Sequence, residues 1–167
     1  MSILVVAEHD NSENKSATLV TIAAAQAIGG DIDVLVAGSG VDSVASQVAA
    51  IPGVGKVLVA DNPAYEHQLA ENIGDLIAEV AAPYGHVLAP HTANGKGIMP
   101  RVAAKLGVAQ VSDIVSVESE NTFKRPIYAG NAIQTVKSLS NKKVITVRAP
   151  SFQAVGDQDS SPIENIN

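Results

Sequence analysis

The 167-residue sequence predicts an α/β fold, a three-layer arrangement in which a mostly parallel sheet carries helices on both faces, and three observations support it. Short apolar runs alternate with helix-period segments over the first hundred residues. The runs are continuous and β-branched, the pattern of strands buried on both faces. One stretch, Gly85 to Asp113 (GHVLAPHTANGKGIMPRVAAKLGVAQVSD), holds a strand, a glycine-rich turn, a helix and the start of another strand. Such alternation implies parallel strands joined by right-handed crossovers.

The first strand is Ile3 to Ala7, and the helix after it runs from about Ser16 to Ile28, where Ala17 and Ala23-Ala24-Ala25 allow close approach to the sheet. Ile32 to Ala37 and Lys56 to Ala60 are the next strands, with a helix over about Asp42 to Ala50 between them. From about Glu66 to Ala82, Leu69, Ile73, Leu76, Ile77 and Val80 repeat on one helical face. His86 to Pro90 is the fourth strand. Thr92, Asn94, Gly95 and Gly97 then offer turn and cap chemistry ahead of Met99, Val102, Ala103 and Leu106. Pro100 has no N–H to give to a helix interior, which places the helix start near Gly97. Beyond Leu106 the helices stop. Val108 to Val117, Thr122 to Tyr128, Ala132 to Ser138 and Val144 to Ala149 read as strands, with a turn at Ser119-Glu120-Asn121 and a bend or hairpin at Gly130-Asn131. Pro126 assigns its run to a sheet edge or a bulge. The architecture expected is Rossmann-like, of the adenine-nucleotide-hydrolase-like kind, with added strands or a hairpin in the last third. A single domain is expected over residues 1–152. Residues 153–167, polar and aperiodic, read as a linker or mobile tail.

Composition removes several function classes. Without cysteine the chain has no disulfide, no thiolate nucleophile and no thiolate-ligated metal, which also fits a reducing compartment. No apolar run approaches the roughly 18 residues that span a bilayer, and Met1-Ser2 leads straight into a strand, so a cytoplasmic protein without membrane insertion is expected. A net charge of −6, three tyrosines, two phenylalanines and no tryptophan argue against nucleic acid. The charge is unevenly spread. Up to Gly95 there are two basic residues against eleven acids; from Lys96 onward there are nine basic residues against six acids. Such a division either orients a partner or reflects two solvated faces.

Gly95-Lys96-Gly97 at a strand-to-helix turn invites a phosphate-loop reading, but Pro90 stands where the leading glycine is needed and Gly97 where Ser or Thr should follow the lysine. Loops at the carboxyl ends of the first four strands, Glu8-His9-Asp10, Gly38-Ser39-Gly40, Asp61-Asn62 and His91-Thr92, form the default ligand edge. His9, Asp10 and His91 are the candidates there for a metal or an acid–base pair; no metal-ligand spacing joins them, and each is expected to bond a loop or face water. Gly38-Ser39-Gly40 lacks the frame of a nucleophile elbow. An alternative function at this edge is an adenine-nucleotide-binding module of universal-stress-like type, with Gly38, Gly40, Gly53 and Gly55 near the phosphates.

The run TANGKGIMPRVAAKLGVAQVSDI, then TFKRPIYAGNAIQTVKS and VITVRAPSF, in that order after the opening ILVVAEHD, resembles the amino-terminal domain of the alpha subunit of electron-transfer flavoprotein. The resemblance extends to about Phe152. It implies an electron carrier rather than an enzyme with its own catalytic site. An alpha–beta heterodimer would hold FAD mainly on a carboxy-terminal alpha domain and on the beta subunit, taking electrons from flavin dehydrogenases of the acyl-CoA dehydrogenase type and passing them to a quinone oxidoreductase. On this resemblance the chain is a fragment that ends where the flavin domain begins, binds no cofactor or metal itself, and self-associates if its interface is left open. Arg125, Tyr128 and Asn131 are either solvated residues of an edge strand or contacts to the beta subunit or the missing domain; the resemblance favours contact.

Overall fold

In each predicted strand of the first half, alternate residues bury on opposite faces of one sheet. The computed structural model describes residues 1–156 and 160–166. Seven strands form the main sheet: β1 (Ser2–Val6), β2 (Asp31–Gly38), β3 (Val54–Asp61), β4 (His86–Pro90), β5 (Gln110–Ile114), β9 (Lys143–Val147) and β10 (Ile163–Asn165). Their order is β10-β3-β2-β1-β4-β9-β5, with every pairing parallel. Ile3, Val5, Val34, Val36, Val57 and Val59 face helices α1 (Ser16–Ile28) and α2 (Asp42–Ala49). Leu4, Val6, Leu35, Leu58, Val87 and Val144 face α3 (Ala70–Val80) and α4 (Ala93–Leu106). The expected three layers are therefore present. Among the described residues no helix is long and apolar enough to cross a membrane.

The last third builds a second, antiparallel sheet of β6 (Ser116–Ser119), β7 (Thr122–Ile127) and β8 (Ala132–Lys137). The single run read from Val108 to Val117 is thus two strands in different sheets. The small sheet lies against α1: Phe123 is fully buried in the α1-side core, with Val117 and Val136 packed on it. Covered by strands on two sides, α1 buries Thr18, Val20, Thr21, Ile22, Ala24, Ala25 and Ile28, which explains its alanines. The chain then returns at β9, which inserts between β4 and β5.

Three local expectations are corrected. Helix α4 starts at Ala93, not near Gly97: the Thr92 hydroxyl caps it by accepting the Gly95 N–H at 3.3 Å, and Pro100 sits inside. Pro100 is on the exposed side, where water can satisfy the carbonyl one turn back. Second, β7 is the central strand of its sheet and not an edge strand, although its pairing with β6 carries a register irregularity between Val117 and Ser119 and leaves the Pro126 end open on that side. The Val115 N–H donates to Lys124 O, and β6 pairs no further along β7 than Lys124. Backbone alternation turns the Pro126 nitrogen to that same vacant side, so no ladder bond is lost.

The third correction concerns the tail. Residues 157–159 and 167, where part of that reading falls, lie outside the described residues, but beyond them the chain is held. The Ser161 N–H donates to Ala49 O at 2.8 Å, its hydroxyl donates to Val54 O at 2.6 Å, and β10 pairs with β3 from Ile163↔Val57 to Asn165↔Val59. All three β10 side chains are exposed, so the strand carries no apolar signature and is fixed by its backbone ladder.

Candidate functional site

The order of strands reverses between β1 and β4, and the loops after them open a crevice at the usual ligand position of such folds. Val6, Glu8, Gln68, Pro90, Thr92 and Gly95 are among its lining residues. Its volume of about 20 Å³ holds a water molecule and little more. The glycine turn is closed for a related reason: Gly95 packs so tightly on β4 that a Cβ would meet Pro90 O at 1.9 Å, and its N–H is already given to Thr92.

Neighbouring loops are knit together by their own side chains. Asp61 accepts the N–H groups of Gly40 and Val41 at 2.9 and 3.1 Å, and Asn11 Oδ1 accepts that of Ser39 at 3.1 Å. Gly53 and Gly55 stand at the amino end of β3, the far end of the sheet, and are corrected as candidates for contact at the carboxyl edge. His9 is a loop anchor: its Nδ1 accepts the Asn11 N–H at 3.0 Å, so Nε2 carries the proton donated to Ala37 O at 2.9 Å. Asp10 accepts from the Ser12 and Glu13 N–H groups and from Lys15 Nζ, and these bonds hold its carboxyl down at about 2. Among the described residues no group of three His, Asp or Glu side chains is placed to hold a metal.

Burial pushes both the His9 and the His86 imidazole below the ordinary value of 6.5. His86 lies at the start of β4 with Nε2 2.6 Å from Glu120 O. A histidine kept neutral by the fold binds its proton more readily when unfolded, so its contribution is complete above about pH 6.5 and is lost as pH falls through that range. The urea midpoint is expected to drop between about pH 7.5 and about pH 5.5, before the paired carboxylates titrate. Equal midpoints at the two values would contradict this account.

His91 belongs to a cluster that single-residue reading did not assemble, at the carboxyl ends of β4, β9 and β5. The Asp113 N–H donates to the buried Thr146 hydroxyl at 2.9 Å, and that hydroxyl is hydrogen-bonded to His91 Nδ1 at 2.9 Å. Asp113 has φ +61°, left-handed and costly for a non-glycine residue, at a register shift between β5 and β9. This bend brings its carboxylate 2.9 Å from Arg148 Nη1 and 3.8 Å from His91 Nε2. The only sequence trace is Asp within the Val-Ser-Asp-Ile run, where a strand interior disfavours it.

The three residues expected at an interface do not behave alike. Arg125 is half-buried and bridges the two sheets: Nε donates to Ser112 O at 2.9 Å and Nη1 reaches Gln134 Oε1 at 3.5 Å. Tyr128 and Asn131 are exposed in the β7–β8 connection, Tyr128 at 79%. Tyr128, Ala129 and Gly130 all have left-handed φ, of +49°, +54° and +88°. Ile133, paired with Pro126 across the strands, is 57% exposed beside them. The β7–β8 hairpin thus presents an apolar tip on a conformation that costs about 1 to 3 kcal/mol at each non-glycine residue.

The electron transfer flavoprotein domain model matches residues 3–167. The chain is similar to the electron transfer flavoprotein subunit alpha of Pseudomonas aeruginosa, at 61% identity over all of this chain and 54% of that protein. It is also similar to the subunit alpha of Bradyrhizobium diazoefficiens, at 51% over 99% of this chain and 53% of that one. The mitochondrial subunit alpha of Dictyostelium discoideum is 46% identical over 89% of this chain and 44% of its own length. The chain spans about half the length of these curated relatives. With a three-layer parallel sheet in place and a family match running from the first strand through the last, the chain belongs to the electron transfer flavoprotein domain family.

Proposed function

We propose that this chain is the scaffold domain of a flavoprotein electron carrier, the amino-terminal part of an alpha subunit that pairs with a beta subunit. The carrier would take electrons from flavin dehydrogenases of the acyl-CoA dehydrogenase type and deliver them to a quinone oxidoreductase. Its FAD would sit mainly on a carboxy-terminal alpha domain toward which residues 153–167 lead, and on the beta subunit. What supports this placing of the flavin is the small size of the crevice beside β1 and β4, about 20 Å³, with nearby backbone donors bonded within the chain. The chain's contribution is then shape and docking, with no catalytic group of its own.

The observation that carries the docking reading is the β7–β8 tip. A tyrosine 79% exposed on left-handed backbone, flanked by Ile133, is an apolar patch bounded by polar groups, a common form of protein contact site. Tyr128→Ala is expected to weaken beta-subunit binding by about 1 to 3 kcal/mol in the full-length alpha chain without lowering its thermal stability. Arg125→Ala should weaken both, because its guanidinium also ties the hairpin to Ser112 O. Isothermal titration of each variant against the beta subunit decides the matter; unchanged affinity for Tyr128→Ala would reassign the tip to solvent.

A further inference from the structure

The His91–Asp113–Arg148 cluster and the hairpin form one charged surface. Among the described residues, the charges around His91 are the Asp113 carboxylate and the cations Lys96, Arg148 and Arg125. Asp113 is committed to Arg148 on one oxygen and lies near His91 on the other. Lys96 and Arg125 have no carboxylate within salt-bridge reach among the described residues. Among the described residues this surface therefore carries three cations against one carboxylate, whereas the chain as a whole carries −6.

The cations are also held in place. Arg148 is anchored through Nη1 at 2.9 Å, and no other nitrogen of its guanidinium has a partner among the described residues. Arg125 is anchored through Nε, and Thr146, fully buried, fixes Asp113 and His91 from below. A guanidinium with one edge tied and the other open is preorganised for a carboxylate, because little side-chain freedom remains to be lost on binding. Lys96 is exposed at the start of α4 and adds an untethered charge.

We propose that this surface, from Lys96 across Arg148 to Arg125, is a carboxylate-reading dock for an acidic segment of the partner subunit. Arg148 takes a carboxylate on its open edge, and Lys96 and Arg125 set the approach. The inference rests on the docking reading above and shares Arg125 with it. It adds the chemistry of the partner: aspartate or glutamate side chains facing the strand ends, beside an apolar contact at the Tyr128 tip.

The test is titration of full-length alpha chain with beta subunit at low and at physiological ionic strength. Lys96→Glu and Arg148→Glu are each expected to weaken binding at least about tenfold at low salt and to flatten its salt dependence, with thermal unfolding as the check on folding. Arg148→Lys should keep the salt dependence while losing part of the affinity. Unchanged affinity in both Lys96→Glu and Arg148→Glu overturns the proposal. Lys96 makes no ion pair among the described residues, so that variant reports even if Arg148→Glu is unstable. If Tyr128→Ala still weakens binding in that case, the docking reading survives without the acidic partner; if Tyr128→Ala is also silent, both fail. Should the two charge reversals abolish self-association and leave beta-subunit affinity intact, the surface is a contact between copies of this chain, and the proposal is wrong.

Discussion

Replacing Gly95 by alanine is expected to lower stability by about 3 kcal/mol or more, read as a drop in urea midpoint at constant slope. The added methyl would stand 1.9 Å from Pro90 O and 3.1 Å from its carbonyl carbon. Both atoms are main chain in the central sheet, so no side-chain rotation relieves the clash. Relief requires lifting the start of α4 off β4, and Ile98 and Met99, which are buried one turn later, would lose contact with it. Gly97 is the internal control. A Cβ there meets nothing within 4 Å, so Gly97→Ala should be neutral or stabilising by up to about 1 kcal/mol through helix propensity. Equal stability of the two variants would refute the close approach.

Phe123→Ala is expected to cost about 3 to 5 kcal/mol, the usual range for a large side chain removed from a packed core. Phe123 is at 0% exposure and is the residue by which the small sheet enters the α1-side core. Its loss should act unevenly. Amide exchange is expected to accelerate first over β6 to β8, while β1, β2 and β4 retain protection until global unfolding. A cost under about 1 kcal/mol, or uniform loss of protection, would mean that the small sheet is held mainly by other contacts.

Most of the parallel layer was legible because its strands announce themselves locally: Ile3 to Ala7, Ile32 to Ala37 and His86 to Pro90 are apolar on both faces, and burial on both faces is what they do. Where the signal was tertiary, reading failed. Ile163, Glu164 and Asn165 are exposed, and only the position of β3 makes them a strand. Pro100 is tolerated through the solvent exposure of its helix face, a fact about packing rather than about proline. The Asp113 cluster joins residues from β4, β5 and β9, far apart in the chain, and no spacing rule connects them. His9 was expected either to bond a loop or to face water; it bonds a loop, and its partner Ala37 could not be read from the sequence.

The late insertion of β9 bears on how the chain is made. Strand β4 is complete at Pro90, but the neighbour that covers its far side is residues 143–147. During synthesis the β4 flank therefore stays unpaired while roughly fifty residues are added, about 3 to 10 s at ordinary ribosome speeds. Strand β5 emerges within that interval and cannot take its final place, because it pairs with β9 and not with β4. Until Val147 has left the ribosome, the nascent chain offers an open strand edge of the kind that chaperones and neighbouring nascent chains bind. A pause in translation between Pro90 and Lys143 would lengthen that exposure, and slow codons there would raise the aggregated fraction of newly made protein without changing the stability of the finished fold.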